Sequence, residues 1–218
     1  MTEDLVIIGA GGFGREVKWL VERINRDADS RTGEKHWNIC GFADDGVPVQ
    51  VELEGLPVLG GCEWLAEQKK PLAVVCAVGS AKSRRKIIKK IKENKNLYFP
   101  NLLDPSVLMS ESVQMGGGNI ICAGTILTVD ICMGDFCILN LDCTIGHDVK
   151  LGDFVTLYPS VNLSGNVTVG QETELGTGSH VIQGIKIGEQ TIIGAGTVVI
   201  RDLPGECTAV GNPARIIH

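Results

Sequence analysis

Aromatic residues make up only 5% of the 218-residue chain, so a core built around large rings is not expected. Glycine, at 28 residues, is abundant instead, and that pairing points to many tight turns and thin aliphatic packing. No apolar run approaches the roughly 20 residues needed to span a bilayer. The acidic Met-Thr-Glu-Asp start leads directly into a strand, without the basic and apolar regions of a signal peptide. The eight cysteines include no CxxC pair, so a metal or dithiol motif of that kind is missing, and reduced cysteines in a cytoplasmic protein are expected. A positive field is lacking too: the formal net charge is −6, which speaks against a general nucleic-acid binder. What is left is a globular chain, 44% hydrophobic, of one or two domains.

A strict repeat is present. From Met109 through Met115, Ile121, Leu127 and onward to Val199, every sixth residue is aliphatic, sixteen positions without a break. Two residues before each of them runs a second series, from Val107 and Val113 through Thr125, Cys137, Cys143 and Val155 to Thr197, nearly all small or β-branched. Period two within each unit predicts short strands with both residues pointing inward, and a helix would need a period near 3.6. Three such units make one coil, so residues 18 apart stack in register. With stacked strands about 4.8 Å apart, about five coils give a prism roughly 25 Å long. After every third aliphatic residue comes glycine, at Gly116, Gly134, Gly152, Gly170 and Gly188. The expectation is that these corners demand positive φ, which glycine tolerates. The other two edges carry varied residues, among them Asn140, Tyr158, Ser164 and Ile182, and irregularity within a repeat is where function is sought.

Residues 1–103 lack the six-residue period and read as an α/β, Rossmann-like half domain, whereas 104–218 form the repeat. Strands are expected at 5–8, 39–43 and 72–78, with helices from 15 to about 26 and from 82 to 94. Gly9, Gly11 and Gly14 have the G-x-G-x-x-G spacing between a strand and a helix, where backbone and helix N-terminus can hold phosphate. A tight structural turn would use the same residues. About a hundred residues hold one mononucleotide-binding half, which fits a nucleoside diphosphate better than a full NAD. The basic run at 82–95 has Ile87, Ile88 and Ile91 at helical spacing, so a solvated amphipathic face is expected, with a phosphate contact near Arg84 as an alternative.

His147 stands two residues after Ile145, outside the inward series, and Gly165 lies 18 residues further on. A missing side chain there leaves room beside the imidazole and a bare backbone N–H. Acyl transfer needs a base and a donor for the developing oxyanion, and this pair supplies both. A plain surface histidine at a corner is the alternative. Asp148 can orient the imidazole as a triad acid does, although strand alternation would point adjacent side chains apart. His180 is 33 residues from His147, not a multiple of 18, and two histidines are too few for a three-histidine metal site, so no metal is expected. Cys137 and Cys143 belong to the inward series and read as core.

The segment from Asn140 to His147-Asp148, the Ser164-Gly165-Asn166-Val167 that follows, the opening Gly-Ala-Gly-Gly-Phe-Gly, Phe42-Ala43-Asp44-Asp45 and Gly211-Asn212-Pro213-Ala214-Arg215 resemble the hexapeptide-repeat sugar acetyltransferases of the sialic-acid, bacillosamine and perosamine pathways. The resemblance covers nearly the whole chain. It implies a left-handed parallel β-helix, a hand that parallel crossovers normally avoid. It also implies a homotrimer, with acetyl-CoA lying along the stem between subunits and a nucleotide-linked sugar held by the N-terminal domain. On that basis His147 is the base, Asp148 its modulator, and Gly165, Thr156, Thr177 and Ala195 meet acetyl-CoA. Gly11, Gly12, Phe13, Asp44, Asp45, Gly79 and Asn140 contact the sugar nucleotide. Phe13 stands where the bacillosamine enzyme has a histidine reaching towards the sugar, which leaves the sugar open, and Thr156 stands where it has a histidine on the CoA side, which weakens one cofactor contact.

The expected activity is N-acetylation of a nucleotide-linked amino sugar. O-acetylation of a sugar hydroxyl would use the same residues. A non-catalytic, trimeric nucleotide-sugar-binding protein and a dehydrogenase are the readings of other classes, the latter disfavoured by the short domain.

Overall fold

The computed structural model describes residues 2–218, which divide between Pro105 and Ser106 into two compact units. In the first, Leu5 to Ile8 form an unbroken apolar run, all buried, as a parallel strand covered on both faces requires. They belong to β1 (Glu3–Ile8), which is followed by α1 (Gly12–Thr32), β2 (Trp37–Ala43), the hairpin β3 (Glu52–Leu53) and β4 (Leu56–Gly60), and α2 (Cys62–Ala66). β5 (Leu72–Cys76), α3 (Ala81–Ile91) and β6 (Leu97–Tyr98) complete the unit. The sheet order is β3-β4-β2-β1-β5-β6, parallel except for the β3–β4 hairpin. From β1 the chain winds outward through β2 and β4, then returns to the other side for β5 and β6. The strand order therefore reverses between β1 and β5, the place where open α/β sheets bind ligands.

α1 starts three residues before the expected helix, because Gly12 to Gly14 are already helical. It ends at Gly33, whose φ of 74° and N–H to Asp29 carbonyl bond close the last turn. β5 stops at Cys76, short of the expected 78, since Val78 and Gly79 turn out of the strand. α3 has Ser80 as its N-cap and buries Ala81, Arg84, Ile88 and Ile91, while Lys82, Lys86, Lys89 and Lys90 are not buried. The basic run is thus mainly a solvated face, but Arg84 is 1% exposed.

The second unit is a parallel β-helix. From Leu108 to Val199 the strands are two residues long, and the repeat pairs residues 18 apart: Ile126 with Thr144, Thr144 with Asn162, Asn162 with His180 and His180 with Val198. Cys137, Cys143, Val149, Val155, Val161 and Val167 are wholly buried inside it. Burial pushes the Cys143 thiol up to about 12, so it packs as a small hydrophobe. The repeat does not close at its beginning. Met109 is 43% exposed and Met115 half-buried, because these strands pair on one side only.

The glycine edge corrects one expectation. Gly116, Gly134, Gly152, Gly170 and Gly188 do not have positive φ. Positive φ falls two residues later, at Gly118, Phe136, Phe154, Glu172 and Gln190, and at the equivalent Asp130, Asp142, Asp148 and Asn166 of the other edges. The edge glycines answer a different need. A Cβ at Gly134 would lie 2.8 Å from Asp153 N and 3.0 Å from Gly152 C in the next coil, so successive coils touch backbone to backbone there.

The three faces of the prism differ. One presents Gln114, Cys132, Lys150, Thr168 and Lys186 outward and is polar. Another presents Ile120, Ile138 and Thr156, all buried. The third presents Ile126, Thr144, Asn162, His180 and Val198. Of the exposed apolar residues, Ile126, Val129, Leu141, Ile182 and Ile200 lie on this third face or on its two flanking edges, whereas Ile192, 51% exposed, stands on the second face.

Candidate active site

At each corner, the third residue after the inward aliphatic donates its N–H to the second-position carbonyl of the preceding coil. Asp148 N–H reaches Val129 (3.1 Å), Asn166 N–H reaches His147 (2.7 Å) and Gly184 N–H reaches Gly165 (3.0 Å). This leaves the second-position N–H to find another acceptor wherever that residue is not proline, as it is at Pro159. On the glycine edge the next coil supplies one: Gly117 N–H donates to Asp135 Oδ1 (2.8 Å) and Asp135 N–H to Asp153 Oδ1 (2.9 Å). On the second edge Leu141 N–H donates to Asn140 Oδ1 at 2.7 Å. Among the described residues, the N–H groups of Gly165, Thr177 and Ala195 have no such acceptor.

His147 occupies the second position on the third edge, and its ring lies against Gly165. A Cβ at Gly165 would overlap Nε2 and Cε1 and sit 2.8 Å from Cδ2. The room left by the missing side chain is therefore filled by the imidazole itself, and Gly165 is buried beneath it. The corner below is equally tight, since a Cβ at Gly146 would meet Gly165 N at 2.7 Å.

Asp148 has φ of 61°, and this left-handed residue breaks the pleated alternation that would turn its side chain away. Its Oδ2 lies 2.7 Å from His147 Nδ1. An ionised carboxylate only accepts, so Nδ1 carries the proton and Nε2 keeps its lone pair. Nε2 is the nitrogen turned to Gly165. The His147 side chain is 51% exposed and that of Asp148 57%, so the imidazole has one face packed and one open.

The remaining expected cofactor contacts stand elsewhere. Thr177 and Ala195 are exposed and stack one coil apart, with Gly196 N–H donating to Thr177 carbonyl at 2.9 Å. They share the second edge with Asn140, which is 8% exposed. That edge and the His147 edge bound the same face, roughly 17 Å apart over five strand and corner residues. Within one chain, then, Asn140, Thr177 and Ala195 do not join His147. Thr156 is 1% exposed and its N–H is bonded to Thr173 carbonyl at 3.0 Å. It is part of the stem wall within one chain.

In the first unit, the loops after β1 and β5 adjoin at the switch point: a Cβ at Gly9 would lie 2.8 Å from Ala77 carbonyl oxygen. A Cβ at Gly14 would overlap Gly9 carbonyl oxygen, so this glycine permits helix to pack on strand. Gly11 and Gly12 face open space, with Phe13 half-buried beside them. Asp44 braces this turn, accepting Ala10 N–H at 2.9 Å and Gly46 N–H at 2.8 Å. Asp45 accepts Cys62 N–H at 2.7 Å and pairs with Lys90 at 3.6 Å. The Cys62 bonds, then Lys90, hold its carboxyl below the usual range. Asp44 and Asp45 line a cleft of about 600 Å³ with Pro48, Gly61, Cys62 and Lys90. Gly11, Gly12, Phe13 and Gly79 are outside its lining. Among the described residues no group of three or more His, Cys, Asp or Glu stands together as metal ligands.

A six-residue-repeat stem with an imidazole seated on a bare glycine at its corner is the architecture of the hexapeptide acyltransferases. Comparison narrows the class. The PglD N-terminal domain family matches residues 4–91. PerB from Caulobacter crescentus, solved with CoA and GDP-perosamine, is 33% identical over 100% of this chain and 99% of its own, with a TM-score of 0.81. The acetyltransferase domain of PglB from Neisseria gonorrhoeae FA1090, solved with acetyl coenzyme A, is 29% identical over 100% of both chains, with a TM-score of 0.83. WeeI from Acinetobacter baumannii AYE is 29% identical over 99% and 100%, with a TM-score of 0.86. No curated protein matched. The chain belongs to the hexapeptide-repeat sugar acetyltransferases, an acyltransferase family whose stem is the left-handed β-helix.

Proposed function

We propose that this protein transfers the acetyl group of acetyl-CoA to the amine of an amino sugar carried on a nucleoside diphosphate. The observation that carries the reading is the His147 ring, seated on Gly165 with Nδ1 bonded to Asp148. Its support from outside is the likeness to perosamine N-acetyltransferase, solved with CoA and GDP-perosamine. His147 Nε2 removes a proton from the amine as it attacks, and Asp148 stabilises the imidazolium that forms. The Gly165 N–H, which has no acceptor among the described residues, is the donor for negative charge on the carbonyl oxygen. Acetyl-CoA supplies a thioester, whose thiolate leaves without a strong general acid. The unpaired N–H groups of Thr177 and Ala195 suit the amide carbonyls of an extended chain running along the stem.

In this reading 1–103 holds the nucleotide sugar, through Gly11, Gly12, Phe13, Asp44, Asp45 and Gly79, and 104–218 carries the chemistry. The active site lies between copies. Asn140, Thr177 and Ala195 line one edge and His147 and Gly165 another, so one copy brings the base and its neighbour brings the other group. Three prisms with their third faces, flanked by the exposed Val129, Leu141, Ile182 and Ile200, turned inward bring unlike edges together, which is why a trimer is the proposed state.

The test is incubation with acetyl-CoA and paired amino- and hydroxy-sugar derivatives of UDP, GDP and dTDP, with mass spectrometry of products. Acetylation of an amino sugar alone supports the reading. Acetylation of only the hydroxy partner replaces it with O-acetylation, and no product with any carrier refutes it.

A further inference from the structure

A cleft of about 600 Å³ opens beyond the carboxyl ends of β2 and β4, lined by Val47, Pro48 and Val49 together with Asp45, Glu63 and Lys90. That size is typical of small-molecule sites, and apolar walls with a few placed polar groups suit a flat ring. Asp44 belongs to the same lining and also accepts the Ala10 N–H at 2.9 Å. The cleft therefore begins where the turn after β1 ends. In doubly wound sheets the acidic residue at the end of the second strand faces the ribose, and a base then lies past it.

Asp45 is the fixed group of the cleft. Its Oδ1 accepts the Cys62 N–H at 2.7 Å. A Cβ at Gly61 would overlap that same oxygen, so the missing side chain is what lets the carboxylate seat there. The Cys62 bonds, then Lys90, keep the carboxyl ionised at neutral pH, and an ionised carboxylate only accepts. Of its roughly four lone-pair sites, one backbone N–H and one ammonium leave about two for a ligand, and the side chain is 53% exposed. Lys90, in the last turn of α3, stands 3.6 Å from Oδ2 and sets a donor beside that acceptor.

This order of groups discriminates between bases. Guanine presents an acceptor, O6, beside two donors, N1–H and N2–H. A lysine next to a carboxylate matches that edge along its length. Uracil and thymine have a single N3–H between two carbonyls, so one carbonyl would be set against the carboxylate. Adenine would set its bare N1 there. A polar group stripped of water and left facing the wrong partner is how a site rejects a molecule of similar shape.

We infer, on the nucleotide-sugar reading given above, that this cleft is the base site and selects guanine: Asp45 accepts from N1–H and N2–H, and Lys90 donates to O6. The carrier of the sugar is then GDP.

The experiment is calorimetry on the full-length protein with GDP, inosine diphosphate (IDP), UDP, dTDP and ADP, in wild type, Asp45→Asn and Lys90→Gln, with thermal melts of each. IDP is GDP without the 2-amino group. GDP is expected to bind at least about tenfold more tightly than UDP, dTDP or ADP, and roughly tenfold more tightly than IDP, which lacks one hydrogen bond to a charged group. In Asp45→Asn the preference for GDP over IDP falls to about threefold or less, because the one amide oxygen is engaged by the Cys62 N–H and the amide turns donors towards donors. A merely structural role for Asp45 would not move that ratio. Lys90→Gln weakens GDP several-fold and keeps the preference over IDP. Should Asp45→Asn not fold, the wild-type ratios and Lys90→Gln carry the test. Tightest binding of UDP, dTDP or ADP overturns the guanine assignment and leaves the nucleotide-sugar reading intact. Equal affinity for GDP and IDP, or a preference untouched in folded Asp45→Asn, overturns Asp45 as the reader of the base. A wild-type protein that binds none of these nucleotides sinks both readings.

Discussion

Gly165→Ala is the sharpest perturbation available, because it adds one carbon at the point where the account is most specific. The φ of Gly165 is not in the left-handed region, so alanine adopts the backbone without strain. The new methyl would overlap Nε2 and Cε1 of His147 and lie 2.8 Å from Cδ2. Ordinary carbon contacts begin near about 3.5 Å, so the ring must move by roughly an ångström or more. Half-exposed, it can swing outward at little cost in stability. A base misplaced by about 1 Å loses on the order of a hundredfold in rate. Steady-state turnover at saturating substrates is expected to fall by about that factor, with a melting temperature within a few degrees of wild type. Imidazole NMR would report the loss of the Nδ1–Asp148 bond. A folded Gly165→Ala protein turning over within about threefold of wild type would refute the reasoning, since such a small change is only about 0.7 kcal/mol in barrier.

Three further outcomes follow from single residues. Asp148→Ala removes the Nδ1 partner and is expected to slow turnover by about tenfold or more, short of the roughly 10⁴-fold penalty for a buried triad acid because Asp148 is exposed; initial rates measure it. Arg23→Ala removes the two-pronged ion pair to Asp104, whose side chain is 0% exposed, and is expected to lower stability by about 1–3 kcal/mol in denaturant unfolding. Ser179→Ala deletes a buried hydroxyl that lacks a hydrogen-bond partner and is expected to raise stability by about 1 kcal/mol in the same assay.

Much of the stem was legible because its signal is periodic. The six-residue step sets which residues point inward, and 18-residue register pairs His147 with Gly165 without knowledge of a single distance. Conformation within the corners was less legible. Glycines repeat at Gly116, Gly134 and Gly152, and repetition alone does not tell positive φ from a need for close backbone approach. The left-handed position was written in the sequence two residues later, in a column rich in Gly, Asp and Asn such as Gly118, Asp130, Asp142 and Asn166. That column includes Asp148, and it resolves the conflict between a paired acid and strand alternation. Phe136 and Phe154 mask the pattern, since stacked rings 5.2 Å apart occupy positions where bulky residues are rare. Burial along the outward column was not legible either: Ile120, Ile138 and Thr156 are buried, whereas Ile192 of the same column is 51% exposed. Arg84 was read as part of a charge run; only its helical phase with Ile88 and Ile91 hinted that it points inward.

The most direct trial is acetyl transfer by His147→Ala beside wild type, followed by mass spectrometry on amino-sugar nucleotides, with oligomer size measured for both. The account predicts at least about a hundredfold loss of rate, the low end for a general base, in a variant that melts and assembles as wild type does. Undiminished acetylation by the assembled variant would contradict it.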